Sequence, residues 1–210
     1  MFKEVLSSPC SKSGRSLVHG VGTNDSTYAT SMEVGGKIFR CPFYVKWVSM
    51  LSRCYSEAFL SRRPTYKGSS VCHDWLTFSV FKDWMMGQDW EGKALDKDII
   101  RLGNKVYSPS TCCFVSTEVN SLVKDCRGSR GPYPRGVYLD KGTGKYRAQC
   151  KASGKVTYLG CFDSPEAASA VHNEHKAGVV RRVALGQESP MVMRGLIIYA
   201  DKILNNTKGM

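Results

Sequence analysis

Residues 135–176, RGVYLDKGTGKYRAQCKASGKVTYLGCFDSPEAASAVHNEHK, carry the pattern that decides the fold of the second half of the chain. Three short runs, GVYL, KYRAQCKA and KVTYLGCF, are separated by the turn sequences DKGTG and ASG. This spacing predicts three short strands joined by tight turns. The alanine-rich segment after the third strand predicts a helix, because Ser164 suits the N-cap, Pro165 the first helical position and Glu166 the positive end of the helix.

The middle strand is expected to have one apolar and one cationic face. Side chains alternate along a strand, so Tyr146, Ala148 and Cys150 should face the helix. The opposite face is expected to lack acids and to carry three cations and an amide, namely Lys145, Arg147, Gln149 and Lys151. Such groups bind phosphates and base edges. The alternative is a solvated strand face without a ligand.

The charge balance also indicates a polyanionic partner. Thirty Lys and Arg face eighteen Asp and Glu in 210 residues, which gives a net charge of +12 and a pI near 9.3. Residues 124–182 alone contain twelve Lys and Arg against five Asp and Glu. An excess of this size is typical of proteins that bind nucleic acid.

The motifs RGV, GKYRAQ and YLGCFDSPEAA, with the alanine-rich helix after them, resemble the plant ethylene-response-factor (apetala-type) DNA-binding domain and its phage-borne relatives. The resemblance implies a three-stranded antiparallel sheet packed on one helix, with the sheet laid in the major groove of double-stranded DNA. From the resemblance and the strand alternation together, the predicted DNA contacts are Arg135, Tyr138, Lys145, Arg147, Gln149, Lys151 and Lys155, with Tyr158 as a further candidate. His172 and His175, on the helix, are expected at the surface.

The first half of the chain predicts an arm and, after it, two amphipathic helices. Residues 1–40 are rich in Gly, Ser and Thr and lack a sustained period, so they are expected to lie along the surface of the module that begins at residue 41. From Pro42, apolar residues at helical spacing predict one helix that ends before Pro64. A short strand at 70–72 and a second helix should come next. The apolar stripe of the second helix, Phe78, Phe81 and Trp84 or Met85, is expected in the core.

Residues 94–122, ALDKDIIRLGNKVYSPSTCCFVSTEVNSL, predict two strands and a helix. Asp96, Lys97 and Asp98 are expected side by side on the first strand. Residues 112–115 form the apolar second strand, and the helical turn after it carries Glu118 and Asn120.

The segments YVKWVSMLSRCYS, SSVCHDWLTFSVFKDWM, LDKDI, YSPSTCCFV and EVN match, in this order, the layout of HNH-type proteins common in bacteriophages, which this part of the chain resembles. Several of those proteins join such a module to a sheet domain like the one above. The resemblance implies a ββα-metal hairpin around one divalent ion and DNA cleavage of the homing-endonuclease type. Asp96 and Asn120 match metal ligands, Thr111 stands near the middle Asn position, and Lys97 stands where the histidine base is expected.

Lys97 is the main departure from the HNH pattern. A lysine is a cation at neutral pH, so it is a poor general base and suits contact with a phosphate or stabilisation of the transition state. Asp96 and Asp98, two apart on a strand, would project on one face and, with the Asn120 amide oxygen, form a hard-oxygen site for Mg²⁺. Lys97 and Asp98 are then the catalytic candidates, and His73 is an alternative base. Otherwise, Asp96 to Asp98 form a solvated charged ladder on an inert scaffold.

Taken together, the patterns predict an α+β protein. Its parts are an arm (1–40), a degenerate ββα-metal (HNH-like) module (41–123), a basic linker (124–134), the apetala-type domain (135–186) and a C-terminal helix (187–210). Nine cysteines without a CxxC pair predict reduced thiols, several of them buried, no zinc site and a cytoplasmic location. No apolar segment has the length of a signal peptide core or a membrane span.

The predicted function is that of a DNA-binding phage protein resembling an HNH homing endonuclease. Metal-dependent cleavage with Mg²⁺ is one form of this prediction. The alternative is a non-catalytic DNA-binding regulator or an inhibitor of a host factor. A third class, a structural protein of a virion, predicts no affinity for DNA.

Overall fold

A computed structural model of the chain describes residues 3–7, 15–124 and 132–205. The described residues divide into two units, which take their residues from 1–98 with 103–114 and from 99–102 with 115–210. Helices accompany several small sheets, so the predicted α+β class is confirmed. Most of the predicted linker, 124–134, lies outside the described residues.

The described part of the N-terminal arm packs on the core of the first unit. Strands β1 (Ser31–Val34) and β2 (Lys37–Arg40) form an antiparallel hairpin. Upstream of it, Tyr28 is buried, and Gly22 sits so close to α1 (Pro42–Tyr55) that an added Cβ would lie 2.4 Å from Leu51 Cδ1. Because only glycine fits at this position, the arm packs directly against the first helix.

Two helices replace the single helix predicted after Pro42. Helix α1 stops at Ser56, whose backbone is extended with a ψ of 114°, and α2 (Glu57–Arg62) begins directly after it. The Ser56 hydroxyl accepts a hydrogen bond from the Phe59 amide, which caps the new helix. The prediction that helical structure ends before Pro64 is confirmed, but the prediction of one continuous helix was wrong.

Aromatic side chains form the core of the first unit. Helix α3 (Phe78–Met86) buries Phe78, Phe81 and Met85, as its apolar stripe predicts. Trp75 meets the Phe81 ring edge-on at 5.1 Å and its carbonyl accepts a 2.7 Å hydrogen bond from Trp47 Nε1. These rings are therefore core residues and are not available for stacking on a ligand.

The short strands and 3₁₀ turns of the first unit connect its helices. A 3₁₀ turn at Pro64–Tyr66 precedes β3 (Ser70–Val71), and a second turn at His73–Leu76 leads into α3. Strand β3 pairs in parallel with β5 (Val106–Tyr107). The strand predicted at 70–72 is thus present and is one residue shorter than predicted.

The predicted order of strand, strand and helix is present in the region of residues 94–123. Strand β4 (Ala94–Asp96) pairs with β6 (Cys113–Val115), and α4 (Thr117–Val123) comes directly after β6. The Ser116 hydroxyl caps α4 by accepting from the Val119 amide at 3.2 Å. The HNH identity of this region stays a prediction.

The second unit contains the three-stranded antiparallel sheet. Strands β7 (Val137–Leu139), β8 (Tyr146–Ala152) and β9 (Lys155–Phe162) lie in the order β7-β8-β9. Helix α5 (Pro165–Leu185) packs on all three strands and against α6 (Pro190–Asn205). Its N-cap is the predicted one, since the Ser164 hydroxyl accepts from the Ala167 amide at 3.1 Å.

A β-bulge in β9 changes which side chains face the helix. Ala148 pairs with Gly160 and Gln149 with Tyr158, so Leu159 is the extra residue. Leu159 and Phe162 both pack into the apolar cluster under the sheet although they are three residues apart. Gly160 supplies the positive φ of 125° at this point.

Helix α6 lies close to the backbone of residues 99–102, which belong to the same unit. A Cβ added at Gly195 would be 2.0 Å from the carbonyl oxygen of Ile99. Leu196 and Ala200, four residues apart on α6, are fully buried, whereas Leu204 is only partly covered. The absence of a side chain at Gly195 thus permits the contact.

Candidate nucleic-acid interface

The face of the β7-β8-β9 sheet opposite α5, termed the outer face, brings cations and tyrosines together. Directly opposed residues of antiparallel strands point to the same side of a sheet. Arg147 lies opposite Tyr138 on β7 and Cys161 on β9, and Gln149 lies opposite Tyr158. A third row pairs Lys151 with Val156. Strand alternation therefore correctly placed Arg147, Gln149 and Lys151 on the face away from Ala148 and Cys150.

Large side chains on the outer face are open to solvent. Tyr138 is 53% exposed, Tyr158 61% and Val156 57%. Exposed rings beside cations are unusual on a surface that binds nothing, since tyrosine and arginine are the side chains that binding surfaces favour. The sequence pattern indicated the tyrosines, and alternation from Tyr158 also places Val156 on this face. Cys161 reaches the face only because of the bulge in β9.

The outer face is not free of acids, which corrects one expectation. Asp140 accepts a close hydrogen bond from Arg147, and Lys145 lies 3.1 Å from an Asp163 oxygen. The amide of Gly142 and, after it, Arg147 hold the pKa of Asp140 below its usual value. The Lys145–Asp163 pair is exposed and contributes little to stability, whereas the Asp140 side chain is only 14% exposed, so a phosphate at Arg147 has to compete with a partly covered carboxylate.

The remaining predicted DNA contacts lie at the margins of the sheet. Lys155 is exposed at the start of β9, next to the β8–β9 turn. Arg135 precedes β7 and is half-buried at the sheet edge, where it lines a pocket with Lys151 and His172. The structure thus groups Tyr138, Arg147, Gln149 and Lys151 on one face, and places Lys145, Arg135 and Lys155 around it.

His172 is buried, so the expectation of a surface position was wrong. Only 3% of it is exposed, and its Nδ1 lies 3.2 Å from Asn173 Oδ1. Burial lowers its pKa, and the nearby cations act in the same direction. Lys176, one helical turn further along α5, is equally buried. Helical spacing from Ala168 could have indicated the inward position of both residues.

In the HNH-like region, Lys97 forms an internal contact instead of a solvated charge. The residue is 6% exposed, and its ammonium donates to both carboxylate oxygens of Asp98 at 2.8 and 2.9 Å and to the Asn104 carbonyl at 2.7 Å. The Asn104 side-chain amide donates back to the Lys97 carbonyl at 2.9 Å. The solvated-ladder interpretation is therefore wrong for Lys97, and its predicted contact with a phosphate would require these bonds to break.

Asp96 and Asp98 do not share a strand face, because β4 ends at Asp96. The Asp98 amide donates to Asp96 Oδ1 at 2.8 Å, a local side-chain bond that turns the backbone out of the strand. The Asp98 carboxylate accepts both of its side-chain hydrogen bonds from the Lys97 ammonium. Asn120 lies on α4 in the other unit. Asp96 thus accepts a hydrogen bond from a backbone amide and Asp98 pairs with the Lys97 ammonium, and Mg²⁺ binding stays a prediction.

The other candidates of this region also have structural positions. The Thr111 hydroxyl donates to the Val106 carbonyl at 2.7 Å, and the His73 side chain is almost fully exposed, 3.8 Å from Asp74. Within residues 3–7, 15–124 and 132–205, no three His, Cys, Asp or Glu side chains are grouped as metal ligands would be.

The seven cysteines in the described ranges are free thiols, and five of them are buried. Burial raises the pKa of Cys54 to about 11 and those of Cys112 and Cys113 to about 12. The prediction that several cysteines act as small buried hydrophobes is confirmed.

Comparison of the chain with protein-family models, with curated proteins and with solved structures gives no match. The apetala-type and HNH-type resemblances therefore stay predictions from sequence. Among the helices of the described residues, none combines the length and the apolar character needed to cross a membrane.

Proposed function

We propose that the outer face of the β7-β8-β9 sheet binds double-stranded DNA. The observation that carries this proposal is the pair of cross-strand rows that place Arg147 beside Tyr138, and Gln149 beside Tyr158, on one exposed surface. Arginine and lysine bind phosphates, an amide can pair with a base edge, and tyrosine rings cover sugars and bases. The net charge of +12 supports the same partner.

The proposal is one of binding without cleavage. The residue at the predicted position of the catalytic base, Lys97, is buried and bonded to Asp98 and Asn104. Its role in this geometry is to hold the 96–104 loop. A non-catalytic regulator or an inhibitor that acts through DNA fits this arrangement better than a nuclease does.

Fluorescence anisotropy with a labelled duplex tests the binding. Arg147→Gln and Tyr158→Ala should each weaken binding about tenfold, since a charge-assisted hydrogen bond or one stacked ring contributes roughly 1.5–3 kcal/mol. Lys141→Gln is the matched control, because it removes one positive charge from an exposed position in the β7–β8 turn. If the wild type and the three variants bind with equal affinity, or if none binds at low salt, the outer face is not the DNA-binding site.

A nicking assay on supercoiled plasmid with Mg²⁺ separates binding from cleavage. The wild type and the double variant Asp96→Ala, Asp98→Ala should show the same background. Nicking that the double variant loses would mean that the chain is a nuclease and that Asp96 and Asp98 serve it.

A further inference from the structure

A pocket of about 180 Å³ opens at the edge of the sheet in the second unit. It lies where the segment before β7 and the second half of β8 meet α5. Arg135 comes from the first of these elements, Lys151 from β8, and His172 and Lys176 from α5. Three separate elements therefore direct basic residues to one place.

The pocket is strongly basic. Among the described residues that line it none is acidic, while three are Lys or Arg and one is His. His172 and Lys176 are each only 3% exposed. Positive groups from three separate elements around one cavity attract an anion. The lining is thus suited to a small anion with several acceptor oxygens.

The backbone of Gly136 shapes one wall of this pocket. Its φ is +75°, and an added Cβ would lie 2.1 Å from His172 Cδ2 and 2.5 Å from the Gln149 carbonyl oxygen. Glycine at this position lets the imidazole ring lie against the chain directly after Arg135. The arrangement of Arg135 and His172 therefore depends on this one residue.

We propose that this pocket binds a single phosphate group, held by the guanidinium of Arg135 with Lys151 and Lys176. The planar fork of arginine matches the oxygens of a phosphate, and a charge-assisted bond of this type is strong. Tyr138, Gln149 and Lys151 belong both to the pocket and to the outer face. The phosphate is a backbone phosphate of bound DNA, an assignment that rests on the proposed function.

Two-dimensional ¹H–¹⁵N NMR of the full chain tests the pocket without DNA. Inorganic phosphate replaces chloride at constant ionic strength, and the amides of Gly136 and Gln149 report on the pocket. We expect a saturable shift of both amides. Arg135→Gln should weaken it about tenfold or more, Arg135→Lys should weaken it less because the charge remains, and Lys141→Gln should leave it unchanged. Arg135 is half-buried, so its variants are expected to fold.

The source of the phosphate is distinguished by a second titration with duplex DNA. Shifts of the same two amides by DNA, with competition from inorganic phosphate, support a backbone phosphate. Shifts by inorganic phosphate alone support a pocket for free phosphate and count against the DNA source. No saturable shift with either, or the same loss in Lys141→Gln as in Arg135→Gln, overturns the pocket. DNA binding that needs Arg147 but not Arg135 overturns the assignment of the pocket to a DNA phosphate while leaving the proposed function intact.

Discussion

Replacement of Lys97 by methionine tests whether this residue holds the structure or contacts a ligand. Methionine fills a similar volume, so the change removes the ammonium without opening a large cavity. In the folded chain that ammonium makes three hydrogen bonds of 2.7–2.9 Å, two to Asp98 and one to the Asn104 carbonyl. All three are lost at once in the variant.

The expected loss of stability depends on the surroundings of these partners. Removing one member of a buried ion pair costs about 3–5 kcal/mol. The Asp98 side chain is 46% exposed, so water takes over part of the lost interaction and about 1–2 kcal/mol remains for the pair. The unpaired Asn104 carbonyl adds about 1 kcal/mol. The free energy of unfolding should therefore fall by about 2–3 kcal/mol, which lowers Tm by about 5–10 °C in a chain of this size.

Thermal unfolding monitored by circular dichroism measures this change. Lys67→Met is the control, because Lys67 is an exposed lysine of the same unit and its replacement should move Tm by less than about 2 °C. If Lys97→Met leaves Tm unchanged but weakens DNA binding, Lys97 is a surface contact for phosphate and the internal role derived from its hydrogen bonds is refuted.

Three further predictions concern the salt dependence of DNA binding, the packing at two glycines and the pH dependence of the basic pocket. If the outer face neutralises about 5–7 phosphates, the logarithm of the DNA association constant should fall with the logarithm of salt concentration with a slope of roughly −5 to −6, and a flat response would contradict the proposal. Gly195→Ala should lower the free energy of urea unfolding by about 1–3 kcal/mol, because the new Cβ would clash with the Ile99 carbonyl. Gly178→Ala in α5 should raise it by about 0.5–1 kcal/mol, because the new Cβ has no neighbour within 4 Å and alanine favours the helix. Burial lowers the pKa of His172, and a bound anion favours its protonated form. Sulfate, which stays a dianion, should therefore bind the pocket more tightly as pH falls through the range in which His172 gains its proton. The unliganded fold, for the same reason, loses stability as pH falls through the lowered pKa, and His172→Gln should show neither pH effect. The titratable and charged groups that line the pocket with His172 or act on it are Arg135, Tyr138, Cys150, Lys151, His175 and Lys176.

The elements that sequence predicts well are those whose signals are local. The Ser164 cap, the apolar stripe of α3 and the alternation of β8 each depend on residues within one or two turns of one another. The break at Ser56 has a local cause as well, since a serine directly before an acid is a common helix start, but the apolar period continues across it and hides the break.

Features that depend on distant partners were not predictable in this way. Lys97 is buried because Asn104, seven residues on, offers a carbonyl to its ammonium and donates its side-chain amide to the Lys97 carbonyl in return. Runs of charged residues are usually solvated, and nothing in the run DKD indicates that its middle residue is buried. Lys176 and His172 differ in this respect: their burial also results from the packing of α5 on the sheet, but their helical spacing from buried Ala168 was a local sign of it.

The β9 bulge shows how one backbone irregularity shapes the candidate site. In a regular strand, Leu159 and Phe162 would point to opposite faces, since side chains alternate. The extra residue lets both enter the apolar cluster and brings Cys161 to the outer face beside Arg147. A lone glycine in a strand pattern signals such a bulge, so Gly160 was the available clue.

Under the two proposals above, the outer face and the basic pocket would have different roles in binding DNA. Phosphate contacts fix the position of a duplex, and base contacts read its sequence. Arg135 and Lys176 line a pocket suited to one phosphate, whereas Gln149 and Tyr158 lie opposite each other on the open face. A backbone phosphate held in the pocket would fix the register in which the duplex meets Gln149. On these proposals, Gln149, which borders both surfaces, would contact a base next to the anchored phosphate, so loss of the pocket should reduce sequence preference as well as affinity.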